Sequence, residues 1–361
     1  MRRFVLLGLL GAALLAGAAS SNAPAVSTAG SAIVVDGRPY FPVFTWAACP
    51  QDVDGDLAIG ITVFMEHGAG CGSEADFLAA LGQRAYYVPS VGGGLEGDPR
   101  LLGYTQPDEP DSHGIGPTQL EDVPGRISFL TLTTGFIRAL PRYADSAARD
   151  LYGAYRAKAD MFGVAVYPLS HLCGVTALAS IYEIQRDLVA FATGKPTFQW
   201  LEAGDLEGAC GAPITPQAAR AEAWLAVAGG ARGLGWFTYG WPDGRAQSFA
   251  IADDVAASIA ETDAQIQSLA TVLLSPSVRM SASTRAEPVK LGARAHAGRI
   301  YVIAVNSYDL PVRWSATGLP GLGKQRVTVV GEGRTLVARA GRLADAFAPL
   351  GVHVYSFIPA R

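Results

Sequence analysis

Eight short apolar runs recur between positions 42 and 239, and helical stretches separate most of them. The runs are 42–46, 59–65, 85–90, 101–105, 128–133, 162–168, 197–202 and 233–239. Near-continuous hydrophobicity over a few residues suits strands buried on both faces. Its alternation with helices is the pattern of βα units in a parallel sheet. Eight such units close into a barrel. The chain is therefore predicted to be α/β, with a (β/α)8 TIM barrel over 32–275. Residues 32–46 are expected as a hairpin, turning at Asp36-Gly37, that runs into the first strand. Helices are expected at 74–81, 145–160, 178–192 and 216–228. In the second of these, Ala148, Leu151, Tyr152 and Tyr155 follow helical spacing. Thr215 stands as N-cap before Pro216 in the last. Residues 92–100 are too few and too glycine-rich for a helix, so the third is expected to be missing or minimal.

A long amphipathic helix is expected over 251–274, with a stripe of Val255, Ile259, Ile266, Leu269 and Leu273, ended by Pro276. Beyond it the period changes to short alternating runs at 289–295, 299–306, 312–316, 326–330, 335–338 and 352–358. These predict a small all-β sandwich over 276–361.

The first 23 residues read as an export signal. Arg2 and Arg3 precede an apolar stretch, and small residues follow it. Residues 24–31 are expected as a linker. With the signal removed, no segment is long and apolar enough for stable membrane insertion, and the protein is expected in the periplasm or outside the cell. Four cysteines, Cys49, Cys71, Cys173 and Cys210, then favour disulfides, for which three connectivities exist. Cys49–Cys71 and Cys173–Cys210 are the expected pairs, because each falls in consecutive loops of the barrel. None has the CxxC spacing of a metal site, and neither metal nor cofactor is expected. A net charge of −4 without a Lys/Arg-rich run gives a nucleic-acid role no electrostatic support.

Two apolar runs end in carboxylates. The stretch Leu101–Asp111, LLGYTQPDEPD, delivers Asp108 and Glu109 before Pro110; the run 196–202, PTFQWLE, ends at Glu202. Strand ends at the C-terminal rim of a barrel hold catalytic groups on rigid elements. Cleaving a glycosidic bond with retention needs a carboxyl that stays protonated and a second that stays ionised, about 5–5.5 Å apart. Glu109 and Glu202, at the ends of the fourth and seventh runs, are expected to face each other across one cleft and do this work. Asp108 is expected to bind substrate hydroxyls or hold a neighbour.

The chain also resembles a family. Asp36-Gly37-Arg38-Pro39-Tyr40-Phe41-Pro42 is similar to the entry into strand one of (β/α)8 glycoside hydrolases whose catalytic glutamates lie on strands four and seven. The segment 98–104 followed by Asp108-Glu109-Pro110 resembles strand four of bacterial members of the DEP type, and Gly194-Lys195-Pro196 fits the approach to strand seven. The block 221–239, from Ala221-Glu222 to Phe237-Thr238-Tyr239, resembles the passage from helix seven to strand eight. The resemblance implies a barrel with a C-terminal β-sandwich, Glu109 as acid/base and Glu202 as nucleophile. Where that family carries Asn before the acid/base, this chain has Asp108.

Sugars offer apolar C–H faces to aromatic rings. Trp46, Trp236 and Trp241 are expected near the mouth of the barrel, Tyr167 as a donor to Glu202, and His67 on the same face as a hydroxyl ligand. No GxSxG elbow is present for an esterase and no HExxH helix for a metallohydrolase. The expected function is hydrolysis of an oligo- or polysaccharide, with glycan binding without hydrolysis as the alternative.

Overall fold

A computed structural model describes residues 23–172, 174–204, 206, 213–240, 245–281 and 287–360. Eight parallel strands form its first sheet: β1 (Val43–Ala48), β2 (Val63–His67), β3 (Tyr86–Val88), β4 (Gly103–Thr105), β5 (Ile127–Leu132), β6 (Met161–Ala165), β7 (Thr197–Glu202) and β8 (Gly233–Phe237). Their order runs β3-β2-β1-β8-β7-β6-β5-β4. Parallel bridges Tyr87↔Leu101 and Ser90↔Thr105 join the two ends and close the barrel. The expected barrel and following β-domain are thus the observed fold.

The interior is filled by Phe44, Val63, Met65, Val88, Leu102, Phe129, Met161, Phe198 and Trp200. The two largest rings on β7 need space from their neighbours. A Cβ on Gly163 would stand 2.3 Å from the Phe198 ring, and one on Gly235 2.3 Å from Trp200. Gly235→Ala is therefore expected to lower stability by about 1–3 kcal/mol through overpacking, measured by denaturant unfolding.

Residues 23–40 form a small antiparallel meander, Val26–Ala29, Ala32–Val35 and Arg38–Tyr40. The segment read as a linker is thus partly β structure: Val26–Ala29 pairs with Ala32–Val35. Ile33 and Val35 pack into the barrel's interior cluster and plug its N-terminal end.

The helices are α1 (Val53–Ala58), α2 (Glu74–Leu81), α3 (Ser146–Arg156), α4 (Pro168–His171), α5 (Ala179–Ala192), α6 (Pro216–Gly229), α7 (Asp253–Ser268) and α8 (Ala270–Leu273). Thr215 caps α6 by accepting from Ala218 N. Between β3 and β4 the described residues hold no helix, as the glycines there imply. The short α1 was not expected. It displaces β2 to 63–67 from the predicted 59–65, and Gly60, at φ +102°, makes the turn between them.

The C-terminal unit has seven strands: β9 (Val289–His296), β10 (Arg299–Asn306), β11 (Val312–Ala316), β12 (Gln325–Val329), β13 (Arg334–Ala338), β14 (Leu343–Phe347) and β15 (Val352–Phe357). Five form one antiparallel sheet, β9-β10-β15-β12-β13, and β11 pairs with β14 in a second. The sheets share a core in which Trp314 stacks on Tyr355 and meets Phe347 edge-on. Among the described residues no helix is long and apolar enough to cross a membrane.

Candidate active site

Strand β4 is short because Pro107 follows Gln106, whose backbone N–H makes the last ladder bond, to Phe129 O. The chain then turns sharply at Glu109, whose φ of +41° is left-handed. The Glu109 carbonyl accepts from Ser112 N and His113 N. Asp111 fixes the far side of this turn. Its carboxylate accepts from Thr133 N (3.1 Å), Thr133 Oγ1 (2.5 Å) and Tyr152 Oη (2.6 Å), tying the turn to the end of β5 and to α3. Ala47 and Glu66, at the ends of β1 and β2, also have positive φ. Strained non-glycine residues gather where function demands a geometry that packing must hold.

The turn delivers Asp108 and Glu109 into a cavity of about 210 Å³ at the C-terminal rim, walled by Trp46, Trp200, Phe237, Tyr167 and Ala165. Trp46 stacks on Phe237 at 5.9 Å between ring centroids. Burial, then the charge of Glu66, pushes the Asp108 carboxyl up to about 6. Burial and the neighbouring Asp108 and Asp111 raise Glu109 as well. Both effects penalise the ionised form. Glu66 is held in place by two donors, Trp46 Nε1 (3.1 Å) and Ser90 Oγ.

Glu202 ends β7 but does not line that cavity. It is 1% exposed. Its oxygens accept from Leu169 N (2.9 Å) and Ser170 N (2.8 Å) at the start of α4. Its own N–H donates to Glu222 Oε2 (3.1 Å). Burial and the adjacent Glu202 drive Glu222 well above the usual carboxylate range, so Glu222 is held neutral. Tyr167 links the two regions. It lines the cavity, and its phenol is raised by burial and by the charges of Asp108, Glu109, Glu202 and Glu222.

The remaining expected residues divide. Trp46 and Tyr167 line the cavity. His67 instead contacts the Tyr87 hydroxyl (3.5 Å) and the Phe77 ring, outside the cavity wall. Trp236 is corrected: it is fully buried, and its indole donates to Asp263 Oδ2 on α7 at 2.9 Å. Strand alternation explains this, since Gly235 and Phe237 face the barrel interior and Trp236 faces the helices. Trp200 and Phe237 take the place expected of it. The Cys49–Cys71 disulfide is present and ties the loops after β1 and β2. Cys173, Cys210 and Trp241 lie outside the described residues. Glu66 and Asp111 escaped sequence reasoning. Glu66 directly follows the second run, as Glu109 lies beyond the fourth and Glu202 ends the seventh, and that position was its only signal. Among the described residues no group of three or more His, Cys, Asp or Glu is placed to hold a metal.

No family model matches the chain, and no curated protein matches it. Solved structures do. A noncanonic maltogenic α-amylase, AmyB from Thermotoga neapolitana, superposes with a TM-score of 0.52 at 8% identity, over 88% of this chain and 98% of that one. An Anoxybacillus α-amylase gives 0.51 at 9%, over 89% and 98%. An α-galactosidase-like protein of Bacteroides fragilis gives 0.51 at 13%, over 88% and 79%. These likenesses establish the fold. At such identities they leave the chemistry to the residues themselves.

Proposed function

We propose that this protein is an exported glycoside hydrolase that takes an oligo- or polysaccharide, with the Asp108–Glu109 pair supplying the proton. The observation that carries the reading is a pair of carboxyls, both raised above their ordinary range, in an aromatic-walled cavity at the C-terminal rim of a barrel. Glu109 gives its proton to the leaving oxygen. Asp108, beside it, is pushed up to about 6, and its charge helps raise Glu109. Glu202 is the second carboxylate. Two backbone N–H donors at the start of α4 hold its oxygens in place. Double displacement then requires the Leu169–Ser170 turn to withdraw from Glu202, so that Glu202 attacks the anomeric carbon and water that Glu109 deprotonates hydrolyses the glycosyl-enzyme. Aromatic walls take the apolar sugar faces. Export rests on the N-terminal pattern and suits the disulfide.

One observation favours a second reading, glycan binding without hydrolysis: Glu202 is buried and its oxygens are already engaged. A screen of nitrophenyl glycosides and soluble polysaccharides, with Glu202→Gln as control, decides between them. Hydrolysis by the wild type and none by the variant supports the enzyme. Affinity without turnover in both supports the binder.

The pH profile has a defined sign. The protonated pair is the active form, so kcat/KM is expected to fall as pH rises above about 6. The Glu66 charge helps hold the proton on Asp108. Glu66→Gln is therefore expected to move this alkaline limb to lower pH, read from initial rates between pH 4 and 9.

A further inference from the structure

We infer that the groove between the closed end of the barrel and the β-domain binds a small molecule carrying a phosphate or sulfate group. The groove has a volume of about 380 Å³ and is built from the loop before β7, the end of α6, residues 277–280 and β9. Thr197 and Arg232, at the N-terminal ends of β7 and β8, place it at the opposite end of the barrel from Asp108 and Glu109. It is therefore independent of the proposed hydrolysis.

Its lining carries five cationic residues, Arg186, Lys195, Arg232, Arg279 and Arg294, of which Lys195 gives its ammonium to Arg156 O and Ala159 O, and among the described residues there none is acidic. This segregation occurs in a chain where acids outnumber bases, 32 to 28. Two of the cations are deeply buried: Arg294 is 2% exposed and Arg232 4%. Among the described residues neither meets a carboxylate. Arg294 donates to Leu273 O, Ala293 O and Val227 O. Arg232 donates to Leu273 O, Ser275 O and Ser277 Oγ through its terminal nitrogens, and its Nε has no acceptor among the described residues.

A buried charge without a counterion is costly. Burial pulls Arg232 down to about 10, and burial plus the charge of Arg232 pulls Arg294 down to about 9. The carbonyls at the ends of α6 and α8 supply only partial negative charge, about half a unit per helix. Two buried guanidiniums without a counter-charge among the described residues, and two exposed arginine arms, match a tetrahedral dianion, which accepts forked bonds from arginine. A bare ion would leave most of the groove empty. Its volume falls in the range of small-molecule sites, and Tyr182, Val278 and Leu291 offer apolar wall to an organic body.

The test is calorimetric titration of the full chain with glucose 6-phosphate, inorganic phosphate, inorganic sulfate and glucose, at ionic strength fixed with sodium chloride. Saturable binding of glucose 6-phosphate is expected, with weaker binding of the inorganic anions and none of glucose. Inorganic phosphate binding as tightly as the sugar phosphate would assign the groove to the free ion within the same chemistry. Arg186→Gln combined with Arg279→Gln changes only exposed side chains and is expected to weaken binding at least tenfold. No saturable binding of any anion, or binding unchanged in the double variant, would overturn the inference. Neither outcome touches the hydrolysis proposal, which is read at the other end of the barrel.

Discussion

Glu109→Gln is expected to lose about 10²–10⁴-fold in kcat/KM on unactivated glycosides, the usual worth of a positioned proton donor. On a nitrophenyl glycoside, whose leaving group needs little protonation, the loss should be smaller. Glu109→Ala should then recover turnover with azide, which occupies the space of the lost carboxyl and attacks the glycosyl-enzyme. Glu202→Gln should fall to background with no azide rescue of the retained product. This second change has a structural price as well. Leu169 N and Ser170 N now meet a carboxylate, and an amide presents an NH2 to one of them. A loss of about 1–3 kcal/mol is expected from that mismatch, so folding must be followed by circular dichroism alongside the rate. If Glu109→Gln and Glu202→Gln both turn over like the wild type, the cavity is not a glycosidase centre.

Trp236→Ala is expected to be the most damaging single change to stability, about 3–5 kcal/mol, because it empties a large site in a close-packed layer. It also removes the indole donor to Asp263, whose other oxygen already lacks a partner. Glycan affinity of whatever protein remains folded should not change, since the ring faces α7. Chemical denaturation gives the first quantity and titration with an oligosaccharide the second. A sugar platform would show the reverse: a stable variant that binds weakly.

These outcomes mark where the sequence could be read and where it could not. The eight barrel strands were legible because buried parallel strands are apolar on both faces, and the missing third helix because glycines crowd 92–100. Strand β14, LADAF, was overlooked. Only Leu343 and Phe347 of it are buried, and two apolar residues four apart look like a helix turn. The carboxylates at strand ends were visible as residue types, and Asp108 and Glu109 do enter the rim cavity. What sequence could not supply was facing. Trp236 and Phe237 are adjacent aromatics, and only the register of β8 against β7 tells which one looks inward. Nor could it show that the Pro168–His171 turn would fold its amides onto Glu202, a contact between residues 33 and 32 positions apart. The Glu66 contacts with Trp46 and Ser90 are likewise products of closure.

The meander at the start of the folded chain has a practical consequence. Because Ile33 and Val35 pack against the filled interior from beneath, the rim cavity is approached from the opposite face of the barrel. The first described residues are pinned at that lower side, where Arg126 Nη1 donates to Pro24 O at 2.9 Å. Tethering the protein to a bead or a cell surface through that end would leave the mouth pointing outward and its traffic unobstructed.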